Sequence, residues 1–502
     1  MTEHAPNVDL SQLIKSYDVR GIVPQPFSPL VAEAIGAAFA TVVVIPDAGD
    51  AADQTPADIV AAGGKRPRVV IGHDMRDSGP ELVDAFARGL IQAGVDVVLI
   101  GLCSTDGLYH ASGVLDIPGA MFTASHNPAQ YNGIKLCRAG ARPVGQDTGL
   151  SRMRDLAQQY LQYGLPGAAT QLGQITHRNM LRDYAAFLRN LVDISTIRPL
   201  KIVVDAGNGM AGLTAPAVLG EAAGLSALPL DIVPLYFELD GTFPNHEANP
   251  LDPKNLVDLQ RAVVEHGADI GLAFDGDADR CFVVDELGAP VSPSAITSLV
   301  GLREVARERE AGREPAVIHN LITSRAVPDF LGAAGARVVR TRVGHSFIKA
   351  EMAEHNAIFG GEHSAHYYFR DFFFADTGML AALHVLAALG SQPHSLSAIA
   401  DMYEPYVASG EINSEVDDVQ AARARVVQAY VEQKGGGDVV VDELDGLTVS
   451  HWDSHPQWWF NVRASNTEPL LRLNVEAADE DMMVKVRDDV LGLIRNSEGD
   501  NA

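Results

Sequence analysis

The chain has 502 residues, 47% of them hydrophobic and 21% charged, and a net charge of −27 at pH 7. That length calls for several hydrophobic cores, and so acidic a balance argues against a nucleic-acid or anionic-membrane partner, since both reward a basic surface. Cys103, Cys137 and Cys281 are the only cysteines and form no CxxC, which disfavours a disulfide framework or a thiolate metal site.

The opening stretch MTEHAPNVDLSQ has no basic region leading into an apolar one, and no run approaches the roughly eighteen apolar residues of a membrane-spanning helix. A cytoplasmic protein is therefore expected. KSYDVRGIV sets Arg20 before Gly21, and a lone Arg reads as a solvated surface residue. Residues 46–67, rich in Ala, Asp, Gly and Pro, read as a mobile surface loop.

RVVIGHD and VDVVLIGL, separated by the helix pattern GPELVDAFARGLIQAG, read as a βα unit of a largely parallel sheet. The layout recurs with KIVVDAG and DIGLAFDGD and again with AVIHNLI and ARVVRTR, without a sequence repeat. After the first unit comes TASHNPAQYNGIK, where Ser125 and His126 are adjacent and Lys135 follows a polar turn. A hydrolase serine sits in a Gly-flanked elbow and takes its His from elsewhere in the chain, so this is a different arrangement.

DAGNGMAG matches the dinucleotide pattern GxGxxG at Gly207, Gly209 and Gly212. Asp231 lies near the distance expected of the accompanying acid, yet it precedes the run IVPLYF instead of closing a second strand. A phosphate-proximal turn or a structural loop is the better reading.

GLAFDGDADRCFVVDE carries Asp275, Asp277 and Asp279, then Arg280. Hard oxygen donors at that spacing suit Mg²⁺ or Ca²⁺; the bland alternative is an acidic turn. An EF-hand would use Asp275, Asp277, Asp279 and Glu286, but its sixth position needs Gly and holds Arg280, and the flanks are β-rich. An aspartyl-phosphate enzyme would make the first Asp the nucleophile and leave the Ser125 region without a task. GGEHSAHYYF offers Glu362, Ser364 and His366 on one side of an extended segment, a row suited to sugar hydroxyls or a polar loop edge.

The last hundred residues differ. DDVQAARARVVQAYVEQ reads as a helix stopped at Gly435, Gly436 and Gly437, and VVVDELDGLTVSHW as a hairpin turned at Asp445 and Gly446. QWWFNVRA and LLRLNVEA add strands and EDMMVKVRDDVLGLIRN a final helix, giving a small α+β domain. Between those strands Arg463, Ser465, Asn466 and Thr467 are the donors a phosphate dianion needs, or an ordinary turn. Domains are expected at 1–172, 173–288, 289–405 and 406–502.

TASHNP with NGIK, DGDADR, GEHSAH and RASNTEP, in that order on this layout, resemble the α-D-phosphohexomutase superfamily, from SYDVRG at 16 to Pro469. GEHSAH is most similar to the bacterial phosphomannomutase/phosphoglucomutase subgroup, whose loop ends in His but usually has Gly where this chain has Ala365. The resemblance implies an α/β fold of four domains around a central cleft: three mixed α/β domains of similar layout plus a smaller C-terminal α+β domain. It implies reversible interconversion of mannose 6-phosphate and mannose 1-phosphate, and of glucose phosphates, through a phosphoserine and a hexose 1,6-bisphosphate. The alternatives are phosphoglucomutase or phosphoglucosamine mutase; from other classes, a sugar-phosphate phosphatase or a non-catalytic sensor.

By the same resemblance, Mg²⁺ is held by Asp275, Asp277, Asp279 and the phosphoserine oxygen of Ser125, and a hexose 1,6-bisphosphate is the activator. Catalytic roles fall on Ser125, His126, Lys135, Arg20, Arg280 and His366. Substrate binding falls on Tyr17, Gly344, His345, Glu362, Ser364, Arg463, Ser465, Asn466 and Thr467. Ile322 stands where some relatives have a substrate-binding Lys, which leaves Arg325 or Lys349 to supply that charge. Hexose monophosphates are the expected partners, with no nucleic acid or membrane, and a monomer or weak oligomer the expected state.

Overall fold

The structure, a computed structural model, describes residues 8–15, 17–49, 54–433, 439–464 and 470–495. The chain divides into two compact units, Met1–Val291 with Ser364–Ser397, and Ser292–His363 with Ala398–Ala502.

The first sheet of the first unit runs in the order Val19–Ile22, Tyr131–Arg138, Gly119–Phe122, Arg68–His73, Asp96–Leu102, Ile175–His177. Arg68–His73 lies parallel to both Asp96–Leu102 and Gly119–Phe122, and Tyr131–Arg138 returns antiparallel beside Gly119–Phe122. Strands covered on both faces need apolar side chains on both, which is why they read as Val- and Ile-rich runs rather than alternations.

Helix Gly79–Gln92 packs on this sheet and helix Pro29–Phe39 packs on Gly79–Gln92. The helices approach through glycine. A Cβ on Gly36 would stand 2.2 Å from the Phe86 carbonyl oxygen, and one on Gly89 2.2 Å from that of Glu33.

The helical run Pro29–Ala48 is long and apolar enough to cross a membrane, but 67% of its apolar window is buried inside the protein. It is apolar because it fills the core against Gly79–Gln92. The stretch 46–67 is not loop throughout, since Pro56–Ala61 is a helix; residues 50–53 lie outside the described residues. Thr55 Oγ1 accepts from the Asp58 N–H and the Asp58 carboxylate accepts from the Thr55 N–H, so the residues that suggested a loop form a capping box.

The second sheet orders Pro290–Val291, Cys281–Asp285, Ile270–Phe274, Leu200–Asp205, Leu230–Leu235. Leu200–Asp205 is parallel to both its neighbours, and Cys281–Asp285 is antiparallel to Ile270–Phe274. Asp231 stands at the start of strand Leu230–Leu235 and not at its end, as its second residue, 3.8 Å from Lys201. In the GxGxxG stretch, a Cβ on Gly209 would meet Gly276 at 2.7 Å, and Met210 N–H donates to the Gly276 carbonyl (2.9 Å). These glycines let one loop press against the acidic loop. The antiparallel strands Tyr367–Phe369 and Ala375–Asp376 and the wholly buried helix Gly378–Gly390 complete the unit.

In the second unit, Arg337–Thr341, Ala316–Asn320 and Phe359–Gly361 are parallel. Its C-terminal sheet is antiparallel throughout, in the order Val407–Glu415, Leu470–Ala477, Trp458–Ala464, Leu447–Ser450, Val440–Asp442. Helices Val419–Val427 and Glu480–Arg495 pack together and close a core of Phe460, Val462, Leu473 and Val490. The hairpin turns through Asp445 and Gly446 (φ +77°) as expected, while the stop at Gly435, Gly436 and Gly437 lies outside the described residues. The α/β class with a terminal α+β domain is therefore as the sequence predicts.

Three loops share one plan. Each leaves the end of a strand paired in parallel (Phe122, Phe274 and Gly361) and leads into the next strand (Tyr131, Cys281 and Tyr367). Each carries one non-glycine residue in the left-handed region: Ser125 (φ +49°), Ala278 (φ +60°) and Ala365 (φ +64°). Such residues cost energy and cluster where function requires a fixed turn.

Candidate active site

Ser125 is 5% exposed. Its Oγ donates to Asp275 Oδ2 (2.9 Å) and lies 3.2 Å from His126 Nδ1. Its N–H donates to Thr123 Oγ1 (2.8 Å), which holds the bend. The serine thus faces the acidic loop, 150 residues away in sequence.

Asp275, Asp277 and Asp279 are all buried and each offers an oxygen within 4.8 Å of the others. Arg280 Nε donates to Asp275 Oδ2 (2.8 Å). Lys135, on strand Tyr131–Arg138, donates to Oδ2 of both Asp277 (2.6 Å) and Asp279 (2.5 Å). Thr105 adds its hydroxyl to Asp277 Oδ2 (2.6 Å). This leaves Oδ1 of Asp277 and of Asp279 buried and, among the described residues, without a hydrogen-bond partner. Three carboxylates against Lys135 and Arg280 leave the cluster one positive charge short, and orphaned carboxylate oxygens are hard donors. The set fits a divalent cation of the Mg²⁺ type.

The charges follow from burial and neighbours. Burial works against the Lys135 ammonium, but Asp277 and Asp279 outweigh it and hold its pKa well above the ordinary value. Burial also raises Asp277, yet the Lys135 charge reverses this and carries it below the carboxylate range. Asp279 is pushed up, by burial and then by the Asp277 charge. Burial, with Arg280 and Arg20 adding to it, drives His126 well below its usual value, so the ring is neutral.

His366 is brought to the same place: it bridges to Arg280 in backbone pairing, its Nε2 is 3.7 Å from Asp279 Oδ1, and Ser364 Oγ is 3.0 Å from its Nδ1. Arg20 lies opposite Gly133 on the neighbouring strand and donates to Asn127 Oδ1 (2.5 Å) and Asp18 (2.7 Å). Tyr17 is 39% exposed.

The second unit carries the remaining candidates. Glu362 is buried and follows strand Phe359–Gly361. Gly344 (φ +131°) precedes helix His345–His355. Arg463 donates to Glu411 Oε2 (2.5 Å); Ser465, Asn466 and Thr467 lie outside the described residues. Ile322 is 8% exposed and Lys349 4%, while Arg325 pairs with Asp329 (3.1 Å).

The sequence reading missed Arg76, Thr105, Thr123 and Asp376. Asp376 groups with Asp279 and His366 within 4.8 Å. Of these, Thr123 alone lies in a quoted motif, as the first residue of TASHNP; Thr105 meets Asp277 across 172 residues, and the Asp74-x-Arg76 pair after a strand looks like any polar turn.

Four family descriptions match the chain in order: phosphoglucomutase/phosphomannomutase alpha/beta/alpha domain I at residues 11–160, domain II at 182–288, domain III at 294–406 and the C-terminal domain at 411–493. The chain belongs to the phosphoglucomutase/phosphomannomutase family. It is 38% identical to "Phosphohexose mutases" of Xanthomonas campestris, over 94% of this chain and 96% of that protein. It is 38% identical to a phosphomannomutase of Salmonella typhimurium over the same shares. Among solved structures, a phosphoglucomutase/phosphomannomutase family protein from Burkholderia thailandensis aligns with a TM-score of 0.79 at 29% identity, covering 97% of this chain and 98% of that one.

Proposed function

We propose that the chain is a phosphomannomutase, which interconverts mannose 6-phosphate and mannose 1-phosphate, and also glucose phosphates, through a phosphoserine and a hexose 1,6-bisphosphate. The observation that carries this reading is the 2.9 Å hydrogen bond from Ser125 Oγ to Asp275, inside a buried cluster of three carboxylates. Relatives named phosphomannomutases at 36–38% identity support it.

In this reading Ser125 carries the phosphoryl group and gives it to the free hydroxyl of a hexose monophosphate. The bisphosphate then turns and returns its other phosphate to Ser125. Asp275, Asp277 and Asp279, with the phosphoserine oxygen, would hold Mg²⁺, and the ion would supply Lewis-acid neutralisation of the transferring group. Lys135, kept charged by its two carboxylates, fixes and neutralises the acidic loop rather than moving protons. Neutral His126 exchanges a hydrogen bond with Ser125 Oγ and serves the proton at that oxygen. Arg280, anchored through Nε to Asp275, keeps for phosphoryl oxygens a buried Nη2 that has no hydrogen-bond partner among the described residues. His366 takes the proton from the attacking sugar hydroxyl, and Arg20 stabilises charge beside it.

Glu362 and Ser364 bind ring hydroxyls common to both sugar orientations. Arg463, Ser465, Asn466 and Thr467 grip the phosphate that is not reacting, and Tyr17, Gly344 and His345 complete the substrate contacts. A hexose 1,6-bisphosphate is the activator because it loads Ser125. The domain limits proposed are 172, 288 and 405, the location cytoplasmic and the state a monomer or weak oligomer, without nucleic-acid or membrane partners.

Incubation with glucose 1,6-bisphosphate and Mg²⁺ should add one phosphoryl group by intact mass and allow mannose 1-phosphate to become mannose 6-phosphate. Ser125→Ala should take up none and lose roughly a thousandfold or more in kcat. Steady release of inorganic phosphate would make the protein a phosphatase instead, and binding without exchange a sensor.

A further inference from the structure

Arg76 has a side chain only 1% exposed and uses every N–H of its guanidinium. Nη2 donates to the carbonyls of Ser125 (2.9 Å) and Asn127 (2.7 Å), Nη1 to those of Pro128 (2.9 Å) and Tyr131 (2.8 Å), and Nε to Asp74 Oδ2 (3.3 Å). Asp74 Oδ1 in turn accepts from the Arg76 backbone N–H (3.0 Å), which locks the fork in place. Phe243 lies under the guanidinium, 5.2 Å from ring centre to Cζ.

Four carbonyls of one short loop converging on one cation is a clamp. Lys could not replace it, because three donors on one nitrogen cannot reach four diverging acceptors and a carboxylate together. The clamp acts where the loop is least comfortable, at the left-handed Ser125 (φ +49°). The Ser125 carbonyl is trapped from the other side too, since a Cβ on Gly276 of the acidic loop would stand 2.5 Å from it. Peptide planarity then turns the His126 N–H away from Arg76. With the backbone fixed, the Cα–Cβ bond of Ser125 is aimed at the acidic loop, and the hydrogen bond to Asp275 (2.9 Å) selects the Oγ rotamer.

We propose that Arg76 is the positioning residue of the phosphoryl-carrier loop: it holds the backbone of residues 125–131 so that Ser125 Oγ meets the carboxylate cluster, and it touches neither substrate nor reacting atoms. The proposal rests on Ser125 being the carrier.

The test uses full-length Arg76→Lys and Arg76→Met beside Leu90→Ala, a variant that opens a cavity in the hydrophobic core of the same unit and removes no contact to residues 125–131. Two readouts are taken: mutase kinetics, and hydrogen exchange of peptides spanning 123–133 in the unphosphorylated protein. Both Arg76 variants should lose about a hundredfold in kcat with KM within about threefold, as misplacing a reacting group does. Their exchange should quicken in 123–133 alone. Leu90→Ala should lower Tm and leave kcat unchanged. Wild-type kcat in Arg76→Lys, an equal kcat loss in Leu90→Ala, or exchange quickened across the whole unit would overturn the proposal. So would failure of both Arg76 variants to fold, which would make Arg76 a general scaffold. A wild type that never takes up phosphoryl at Ser125 sinks the carrier reading instead, and the exchange arm still decides whether Arg76 holds the loop.

Discussion

At Asp106 the fold buries a carboxyl among hydroxyls. Ser104 Oγ donates to it from two residues away, and Tyr184 Oη (2.7 Å) and Thr377 Oγ1 (2.6 Å) from two distant stretches of chain. Its neighbour Thr105 gives both N–H (3.0 Å) and hydroxyl (2.6 Å) to Asp277, so one dipeptide ties the acidic loop to the core. Burial pushes the Asp106 pKa up to about 6, against the hydrogen bonds that lower it. A folded pKa above the unfolded value means that this group's stabilisation is complete below about 3.8 and is lost as pH rises through about 6. Asp106→Asn cannot ionise. Urea unfolding at about pH 4.5 and about pH 7.5 should show wild type losing about 2 kcal/mol more than the variant over that interval. Parallel pH profiles would disprove it. Residues such as Asp106 and Arg76 were illegible in the sequence because their meaning lies in partners far along the chain. Ser125, His126 and the acidic triplet were legible because their donors are packed into a few consecutive positions.

Elements were read with more success where one physical pattern dominates. The runs RVVI, KIVV and AVIH are strands because sheets covered on both faces admit little else. Where two causes give one pattern, the reading failed: the Asp, Thr and Pro of 54–61 mark a helix start as readily as a loop, and Pro29–Ala48 is apolar through packing. At Ala365 (φ +64°) the loop turns through a conformation that Gly adopts without strain, which accounts for the Gly the resemblance expects there. The glycine contact between helices Pro29–Phe39 and Gly79–Gln92 yields a prediction. Ala exceeds Gly in helix propensity by about 1 kcal/mol, so Gly89→Ala would stabilise an isolated helix. Here the new Cβ would strike the Glu33 carbonyl oxygen at 2.2 Å and the Ala37 nitrogen at 2.7 Å, both rigid backbone. Overpacking costs about 1–3 kcal/mol and wins. Denaturant titration of Gly89→Ala should show a net loss, and a gain would mean that the helices slide apart at little cost.

On the scale of the whole molecule, the four-part layout was legible, but the return of Ser364–Ser397 to the first unit was not, because no local pattern encodes which earlier sheet a segment rejoins. The division has a thermodynamic consequence. Asp275, Asp277 and Asp279 all belong to the first unit, whereas Trp452, Trp458 and Trp459, the only tryptophans, all belong to the second. Tryptophan fluorescence therefore reports the second unit, and calorimetry reports both. An ion that binds the folded first unit stabilises it by mass action, about 2.7 kcal/mol at a hundred times its Kd. Spread over roughly three hundred residues, that raises the first unit's midpoint by about 4 °C. Mg²⁺ against EDTA should thus move a calorimetric transition that is silent in tryptophan fluorescence and leave the fluorescent one where it was. Asp277→Asn should abolish the shift. If the fluorescent transition moved by the same amount, the two units would unfold as one cooperative body; if neither moved, the acidic cluster would not be a cation site.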